Sequence, residues 1–515
     1  MTADALPPSD GSLNRRIARG AAWMVGLHFV SRCIGFVSTI VLARLLVPAD
    51  FGLVAIAMAL VASIAVFGEF GFELALIQNQ KAGRSHYDTA WTLGLLRGLV
   101  AAAIIALVAE PLAVFFEDPR LEGVVLALAL APLLEAFYNI GTVAFRKDLT
   151  LGKEFIFRVV PRLAGVIVTV TFALIWRDYW ALIIGSLAGK ALRVILSYLM
   201  HSFRPRLSLA AWREIMNFSK WMLVSGIASF ANRKGGPLLI AKLLDASAVG
   251  TFAIANQISN MAAAELIAPI KQVLFPGYAR IAHDIALLRK AFIDVYGILV
   301  LVALPVAIGI GLTAEYFVPL LLGPNWVQAV PLIEILVISG GLRSLSSHVR
   351  PVYLAMNRPK WGAYATIGHV LVYLPLLYRG LIKYGIMGAA VAHAIGHLAV
   401  LMGSLYYMHR LLSLSLRDLM RATWRALAAC ALMIAAVCAL KLYPPVQGDG
   451  VTADALRLGC AVATGVAVYA GTVLLLWWCS GRPQTSSEAH VMTAVGELLR
   501  RRRLPLAGAA AGKGA

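Results

Sequence analysis

Apolar residues fall in runs of about 20 or more along most of the chain, separated by short polar breaks. A helix rises about 1.5 Å per residue, so a run of this length crosses the roughly 30 Å hydrocarbon core of a bilayer. Fourteen such runs can be placed, at about 18–47, 53–78, 90–116, 123–145, 155–176, 181–203, 221–244, 250–275, 293–317, 326–349, 361–382, 385–409, 422–442 and 456–479. Proline and glycine mark several breaks: Pro48 to Gly52, Asp118-Pro119, Gly323-Pro324-Asn325 and Pro444 to Gly450. The predicted fold is an all-α polytopic membrane protein with no room for a soluble domain. The first run reaches from Ala21 to Val47, longer than the core of a cleaved signal peptide, and reads as the first anchor.

The runs repeat. At an offset of 198, Trp23-Met24 matches Trp221-Met222, and Ala43-Arg44-Leu45-Leu46 matches Ala241-Lys242-Leu243-Leu244. Gly52 matches Gly250, and Ala55-Ile56-Ala57 matches Ala253-Ile254-Ala255. An offset of 205 aligns Ala109-Glu110 with Ala314-Glu315 and Pro119 with Pro324. Each copy holds six predicted helices. Six is even, so both copies enter the membrane in the same direction, as parallel repeats around an axis along the membrane normal. The expected organisation is a cytoplasmic tail (1–15), a first lobe (16–203), a cytoplasmic amphipathic linker (204–220), a second lobe (221–410), two further helices (411–480) and a basic cytoplasmic tail (481–515). Two parallel lobes around a central space are the geometry of a secondary transporter.

Composition and charge narrow the function. The chain is 60% hydrophobic and 14% charged, against about 45–50% and about 25% in soluble domains, which excludes a soluble enzyme. Its net charge of +20 is unevenly spread. With the N-terminus in the cytoplasm, 26 basic residues fall in inside segments, from Arg15 through the Arg500–Arg503 cluster to Lys513, and seven fall outside. One missed or invented helix would invert every later loop, so this positive-inside bias supports an even number of spans with both termini cytoplasmic. The expected location is the bacterial inner membrane. The charge then points to membrane lipids and an anionic substrate, not to nucleic acid.

A charge inside a span costs about 2.5–3.5 kcal/mol on insertion scales and needs a reason. Arg32 lies about 20 Å along the first helix, and Arg233 at similar depth in the seventh. Under the repeat Arg233 maps to Gly35, one turn from Arg32 on the same face. Lys234 is adjacent, and Lys190 and Arg193 share a face of the sixth helix. Arg97, Arg162 and Lys271 read as nearer the cytoplasmic side. Ion pairs between helices explain some of these charges. Arg32, Arg233, Lys234, Lys190, Arg193, Arg97 and Lys271 are the candidates for a cationic cavity, since guanidinium forks and ammonium groups suit phosphate or carboxylate.

Among the acids, Glu69, Glu135, Glu265 and Glu334 are candidates for ion coupling, with neutralisation of an arginine as the competing role. His393 and His397 are spaced i,i+4 but have no evident third metal ligand, and with His369 and Tyr373 they read as polar packing. Cys33, Cys430, Cys438, Cys460 and Cys479 lie in apolar stretches without metal-type spacing and are expected to be free buried thiols. No metal, cofactor or catalytic residue is expected.

The stretches Leu46-Val-Pro-Ala-Asp-Phe-Gly-Leu-Val-Ala-Ile-Ala and Phe70-Gly-Phe-Glu-Leu-Ala-Leu-Ile-Gln-Asn-Gln resemble those of the polysaccharide transporters, the Wzx-like flippases of the multidrug/oligosaccharidyl-lipid/polysaccharide exporter superfamily. Arg204-Pro-Arg-Leu-Ser, Val273-Leu-Phe-Pro-Gly-Tyr-Ala-Arg and Leu322-Gly-Pro-Asn-Trp-Val-Gln-Ala-Val-Pro-Leu extend the resemblance over roughly 15–410. It implies two six-helix lobes plus two helices. It also implies export of a polyprenyl-pyrophosphate-linked oligosaccharide to the periplasmic leaflet for exopolysaccharide, capsule or O-antigen assembly, alongside a polysaccharide polymerase and chain-length machinery. Relatives often carry an Asp in the seventh helix, where this chain has Arg233-Lys-Gly-Gly-Pro237. The alternatives are a multidrug-type small-molecule antiporter, whose cationic cargo an Arg/Lys cavity would repel, and a peptidoglycan-precursor flippase. A membrane polymerase or ligase fits less well, because the longest external loop is only about 443–455 and no Asp-x-Asp motif is present.

Overall fold

The computed structural model describes residues 10–66, 76, 82–147, 150–212, 230, 234–443, 446, 448, 450–483, 486–489 and 492–493. Its regular elements are helical. In chain order the α-helices are α1 (Asp10–Leu45), α2 (Pro48–Val66), α3 (Arg84–Phe116), α4 (Arg120–Leu128), α5 (Leu130–Ala136), α6 (Ala144–Lys147), α7 (Leu151–Trp176), α8 (Trp180–Met200), α9 (234–243), α10 (Ala246–Ile281), α11 (Ile285–Phe317), α12 (Ala329–Ser346), α13 (Val349–Ala355), α14 (Pro359–Leu412), α15 (Leu416–Leu442) and α16 (Val451–Cys479). Among the described residues nine helical segments are long and apolar enough to cross a membrane, and one bent pair makes a tenth. This is a multi-pass membrane protein.

The predicted spans map onto these helices with one adjustment and one gap, and the separate spans expected at 361–382 and 385–409 are both present. The stretch assigned to α14 is two helices broken at Gly385, where φ is 56° and ψ −141°. Gly380 and Gly388 then meet backbone to backbone, with a Cβ on Gly388 only 2.0 Å from the Gly380 carbonyl oxygen. Eight residues of straight helix would hold them about 12 Å apart, so the chain reverses at Gly385. The predicted span at 123–145 is instead bent by 70° between Arg120–Ala136 and Ile140–Lys147. The break falls at Asn139, which is extended and fully buried. Its backbone N–H donates to Ser197 Oγ (3.0 Å) and its Nδ2 to the Phe203 carbonyl (2.8 Å). Half of the predicted span at 221–244 lies outside the described residues. α1 and α10, each 36 residues, cover the spans expected at 18–47 and 250–275. Fourteen spans are compatible with this set.

The expected helix in the linker does not begin at 204. Residues 201–209 are not helical. They run against α3, whose side chains take up their amide groups: Arg206 N–H donates to Asp88 Oδ1 (2.8 Å), Ser208 N–H to Thr92 Oγ1 (3.0 Å) and Ala211 N–H to Thr89 Oγ1 (3.2 Å). Those bonds replace the intrahelical ones, and Pro205 has no amide hydrogen to offer. Residues 213–220 lie outside the described set.

The chain divides into two compact units. Unit 1 holds residues 1–254, 321–326 and 377–389; unit 2 holds 255–320, 327–376 and 390–515. In unit 1, α7 and α8 pack through Gly185-Ser-Leu-Ala-Gly189, the small-xxx-small spacing that lets membrane helices approach closely. In unit 2 the core gathers Phe292, Tyr296, Leu299, Val352, Met408 and Leu419. Large apolar side chains such as Leu107, Leu174, Leu199 and Val466 point outward, which is stable only against lipid. The cysteines follow the same logic: Cys430 alone is buried, and Cys33, Cys438 and Cys479 are exposed on their helices.

Candidate functional site

Arg32 sits on α1, about 20 Å before the helix ends at Leu45. α7 packs along α1 and brings Arg162 beside it. The Arg162 guanidinium occupies the space over Gly35, where a Cβ would lie 2.9 Å from its terminal nitrogen. Gly35 is one turn from Arg32, so Arg162 comes within electrostatic reach of Arg32 about half-way along these helices, and both residues are exposed. Sequence placed Arg162 among the shallower cations. Depth along its own helix could not show which neighbour it would meet; Gly35, the repeat partner of Arg233, was the available signal.

The other cations have different surroundings. Lys190 Nζ on α8 pairs with the Glu135 carboxylate on α5. Arg193, one turn on, stacks its guanidinium over the rings of Tyr138 (5.1 Å) and Phe157 (5.4 Å). Their shared helix face therefore leads to two separate environments. Arg97 on α3 and Lys234 at the start of α9 are half-buried. Arg233 and Glu69 lie outside the described residues, as do the side chains of Lys271 and Glu265 on α10. Glu334 is exposed on α12 in unit 2.

At the end of unit 1 where α1 and α3 finish, two contacts repeat each other. Arg44 Nε donates to the Leu321 carbonyl at 3.0 Å. Its repeat equivalent Lys242 donates through Nζ to the Phe115 carbonyl at 2.7 Å and reaches Glu117 at 3.3 Å. Phe115 and Leu321 occupy the same turn of the two copies, one residue apart in the 205-residue register. A cation at the end of the first helix of each copy thus caps carbonyls from the other copy, where a helix C-terminus favours positive charge. Trp326, fully buried, adds an Nε1–H bond to the Ala43 carbonyl (2.7 Å) and an edge contact to Phe51.

In unit 2, His369, Tyr373, His393 and His397 gather in one polar knot. The His393 and His397 rings are 4.6 Å apart, His369 and His397 4.8 Å, and His393 Nδ1 lies 2.6 Å from Ser339 Oγ. Among the described residues no cluster of His, Cys, Asp and Glu is placed to hold a metal.

The polysaccharide biosynthesis protein family matches residues 41–331. The lipopolysaccharide biosynthesis protein WzxC of Escherichia coli (strain K12) is 25% identical over 393 residues, 76% of this chain and 79% of WzxC. The succinoglycan biosynthesis transport protein ExoT of Rhizobium meliloti (strain 1021) is 23% identical over 387 residues, 74% of this chain and 76% of ExoT. Among solved structures, the lipid II flippase MurJ in an inward closed conformation superposes with a TM-score of 0.72 at 14% identity, covering 88% of this chain and 99% of MurJ. A multidrug resistance MATE family transporter of the MOP superfamily, in an inward-facing conformation, gives a TM-score of 0.56 at 12% identity, over 74% and 94% of the two chains. The fold is that of these transporters, and the chain belongs to the polysaccharide biosynthesis protein family.

Proposed function

We propose that the chain is an inner-membrane flippase that moves polyprenyl-pyrophosphate-linked oligosaccharide repeat units from the cytoplasmic to the periplasmic leaflet, for exopolysaccharide, capsule or O-antigen assembly. The observation that carries this reading is the approach of Arg162 to Arg32 over Gly35. Two guanidinium forks on neighbouring helices match the several oxygens of a diphosphate. The lipid-linked headgroup supplies those oxygens without covalent chemistry. The same pair repels the cationic cargo of a drug antiporter. The names of the relatives support the reading: one belongs to lipopolysaccharide biosynthesis, and another is a succinoglycan transport protein.

In this reading the lobes 16–203 and 221–410 rock about a shared axis and both termini lie in the cytoplasm. Arg233, Lys234, Arg97 and Lys271 remain further candidate cations for the headgroup. Arg193 adds an aromatic-backed cation on α8. Lys190 and Glu135 serve each other as a structural pair, leaving Glu69, Glu265 and Glu334 for ion coupling. Partners are membrane lipids and the polymerase that consumes the flipped unit.

A deletion strain tests the function. Lipid-linked repeat units should accumulate on the cytoplasmic leaflet, with surface polysaccharide lost and then restored by the plasmid-borne gene. Unchanged lipid-linked sugars together with altered drug sensitivity would contradict the proposal.

A further inference from the structure

A cavity of about 560 Å³ opens in unit 1 beside the Lys242 contact, between α2, the α3–α4 turn and the α9–α10 junction. Its floor is aliphatic: Leu53 and Leu121 are buried there, next to Ile56. Phe116 forms part of the wall. The polar part of the lining is of mixed sign: Glu117 meets Lys242, Asp118 meets Arg120, and Asp245 adds a third carboxylate. The size is that of a small-molecule site, and an apolar base with a few directed polar groups is the usual construction.

The polar groups are held in place by one another. Arg120 grips Asp118 with two bonds, Nε to Oδ1 at 3.0 Å and a terminal nitrogen to Oδ2 at 2.8 Å. Asp245 accepts the Ala248 amide at 2.7 Å and so caps α10. Lys242 is fixed by the Phe115 carbonyl and Glu117. These bonds use part of the capacity present, since a carboxylate offers about four acceptor positions and an ammonium three donors. What remains is a set of acceptors and donors whose side chains are already held in place.

The charge selects the ligand. Three acids against two bases leave a net charge of −1, which disfavours a diphosphate or a uronic acid. The acids are tied to internal partners, and among the described residues no metal-binding cluster is found. A ligand that both donates and accepts hydrogen bonds, carries no charge and has apolar C–H faces for Phe116 and the aliphatic floor is a saccharide. We propose that this cavity is a second ligand site, distinct from the Arg32–Arg162 pair, that binds an uncharged oligosaccharide. The inference rests on the chemistry of the cavity and stands apart from the flippase reading. Because Lys242 belongs both to the cavity lining and to the contact at the Phe115 carbonyl, a bound sugar hydroxyl competes with Glu117 for its ammonium group.

The test uses the full-length protein in lipid nanodiscs, avoiding detergents with sugar headgroups. Maltotetraose is the neutral probe and tetragalacturonate the anionic one, read by saturation-transfer NMR and calorimetry. Ser247→Trp and Ala49→Phe each fill the cavity from a different helix, and thermal unfolding identifies a variant that has misfolded. Saturable maltotetraose binding, weakened at least about tenfold by both fillers and retained in Arg32→Ala, is expected. Three results would overturn the site: no saturable neutral binding, equal binding in the folded filled variants, or tighter binding of tetragalacturonate. Calcium binding that the fillers abolish, with maltotetraose silent, would make it a cation site and also overturn the proposal. Sugar binding alongside unchanged lipid-linked intermediates in the deletion strain would count against the flippase reading alone. Silent sugars alongside blocked export in Arg32→Ala would count against this site alone.

Discussion

Gly52 and Gly250, equivalent positions of the two repeats, lie back to back: a Cβ on Gly52 would fall 1.5 Å from the Ala246 carbonyl oxygen, and one on Gly250 would fall 1.9 Å from the Pro48 carbonyl oxygen. Pro48 and Ala246 are themselves equivalent at the 198-residue offset. Each copy therefore makes to the other the contact it receives, as two-fold-related elements do. Because the obstructing atoms are backbone, a methyl group is accommodated only by moving α2 against α10. Gly52→Ala and Gly250→Ala should each lower thermal stability by roughly 1–3 kcal/mol, the usual range for overpacking. Unfolding midpoints of the purified variants check this; wild-type midpoints in both would mean that the helices are not in backbone contact.

The Arg44 and Lys242 contacts tie the two copies together at the same end of unit 1 by the same chemistry. In the proposed topology that end faces the periplasm. Each cation–carbonyl contact is solvent-accessible and contributes about 1 kcal/mol. Arg44→Ala or Lys242→Ala should shift the equilibrium toward an open outer end by about fivefold, and the double variant by more. Maleimide labelling of a single cysteine at Ala49, in an otherwise cysteine-free background, measures the change; unaltered labelling in the double variant would show that neither contact restrains opening.

Lys190→Met leaves the Glu135 carboxylate without its ammonium partner inside the membrane. The cost should be about 1–2 kcal/mol, below the full insertion penalty because both side chains are partly exposed, and membrane-inserted protein should fall. The double variant Lys190→Met/Glu135→Gln should restore the level and sustain export. Failure of export at a normal protein level would move the pair from structure into the transport mechanism.

Outside the spans, the side-chain hydrogen bond from Arg120 holds the Asp118 carboxyl below its usual range. The folded value lies below the unfolded one near 3.9, so the stabilisation is fully present above that pH and is lost as pH falls through the folded value. Arg120→Ala should cost under about 1 kcal/mol at pH 7, since Arg120 is exposed and Asp118 only half-buried. The difference from wild type should close at low pH. Unfolding midpoints recorded between acid and neutral pH check the sign; a difference that widens toward acid would contradict it.

Much of the architecture was legible because a bilayer demands long apolar runs, and those runs locate the spans. The reversal at Gly385 was legible too, since Lys383-Tyr384-Gly385 interrupts an apolar stretch. The bend at Asn139 was not. It is held by Ser197 and by the Phe203 carbonyl, about 60 residues away, and no local pattern announces such partners. The cationic site divides in the same way. Spacing along α8 correctly gives Lys190 and Arg193 a common face, but not the separate fates of a carboxylate partner and an aromatic cage. Arg162 was missed because its role depends on which helix packs against α7. The buried-thiol expectation failed for most cysteines because apolar side chains in a membrane protein can face outward as well as inward.

The most direct measurement is surface polysaccharide in cells carrying Arg32→Ala, Arg162→Ala and both together, at matched membrane protein levels, with Arg→Lys variants beside them. Each alanine variant should reduce polymer at least about tenfold and accumulate lipid-linked repeat units on the cytoplasmic leaflet. The lysine variants, which keep the charge but lose the fork, should fall between these and wild type. Normal polymer in the double alanine variant would contradict the account, because no anionic headgroup could then depend on the Arg32–Arg162 pair.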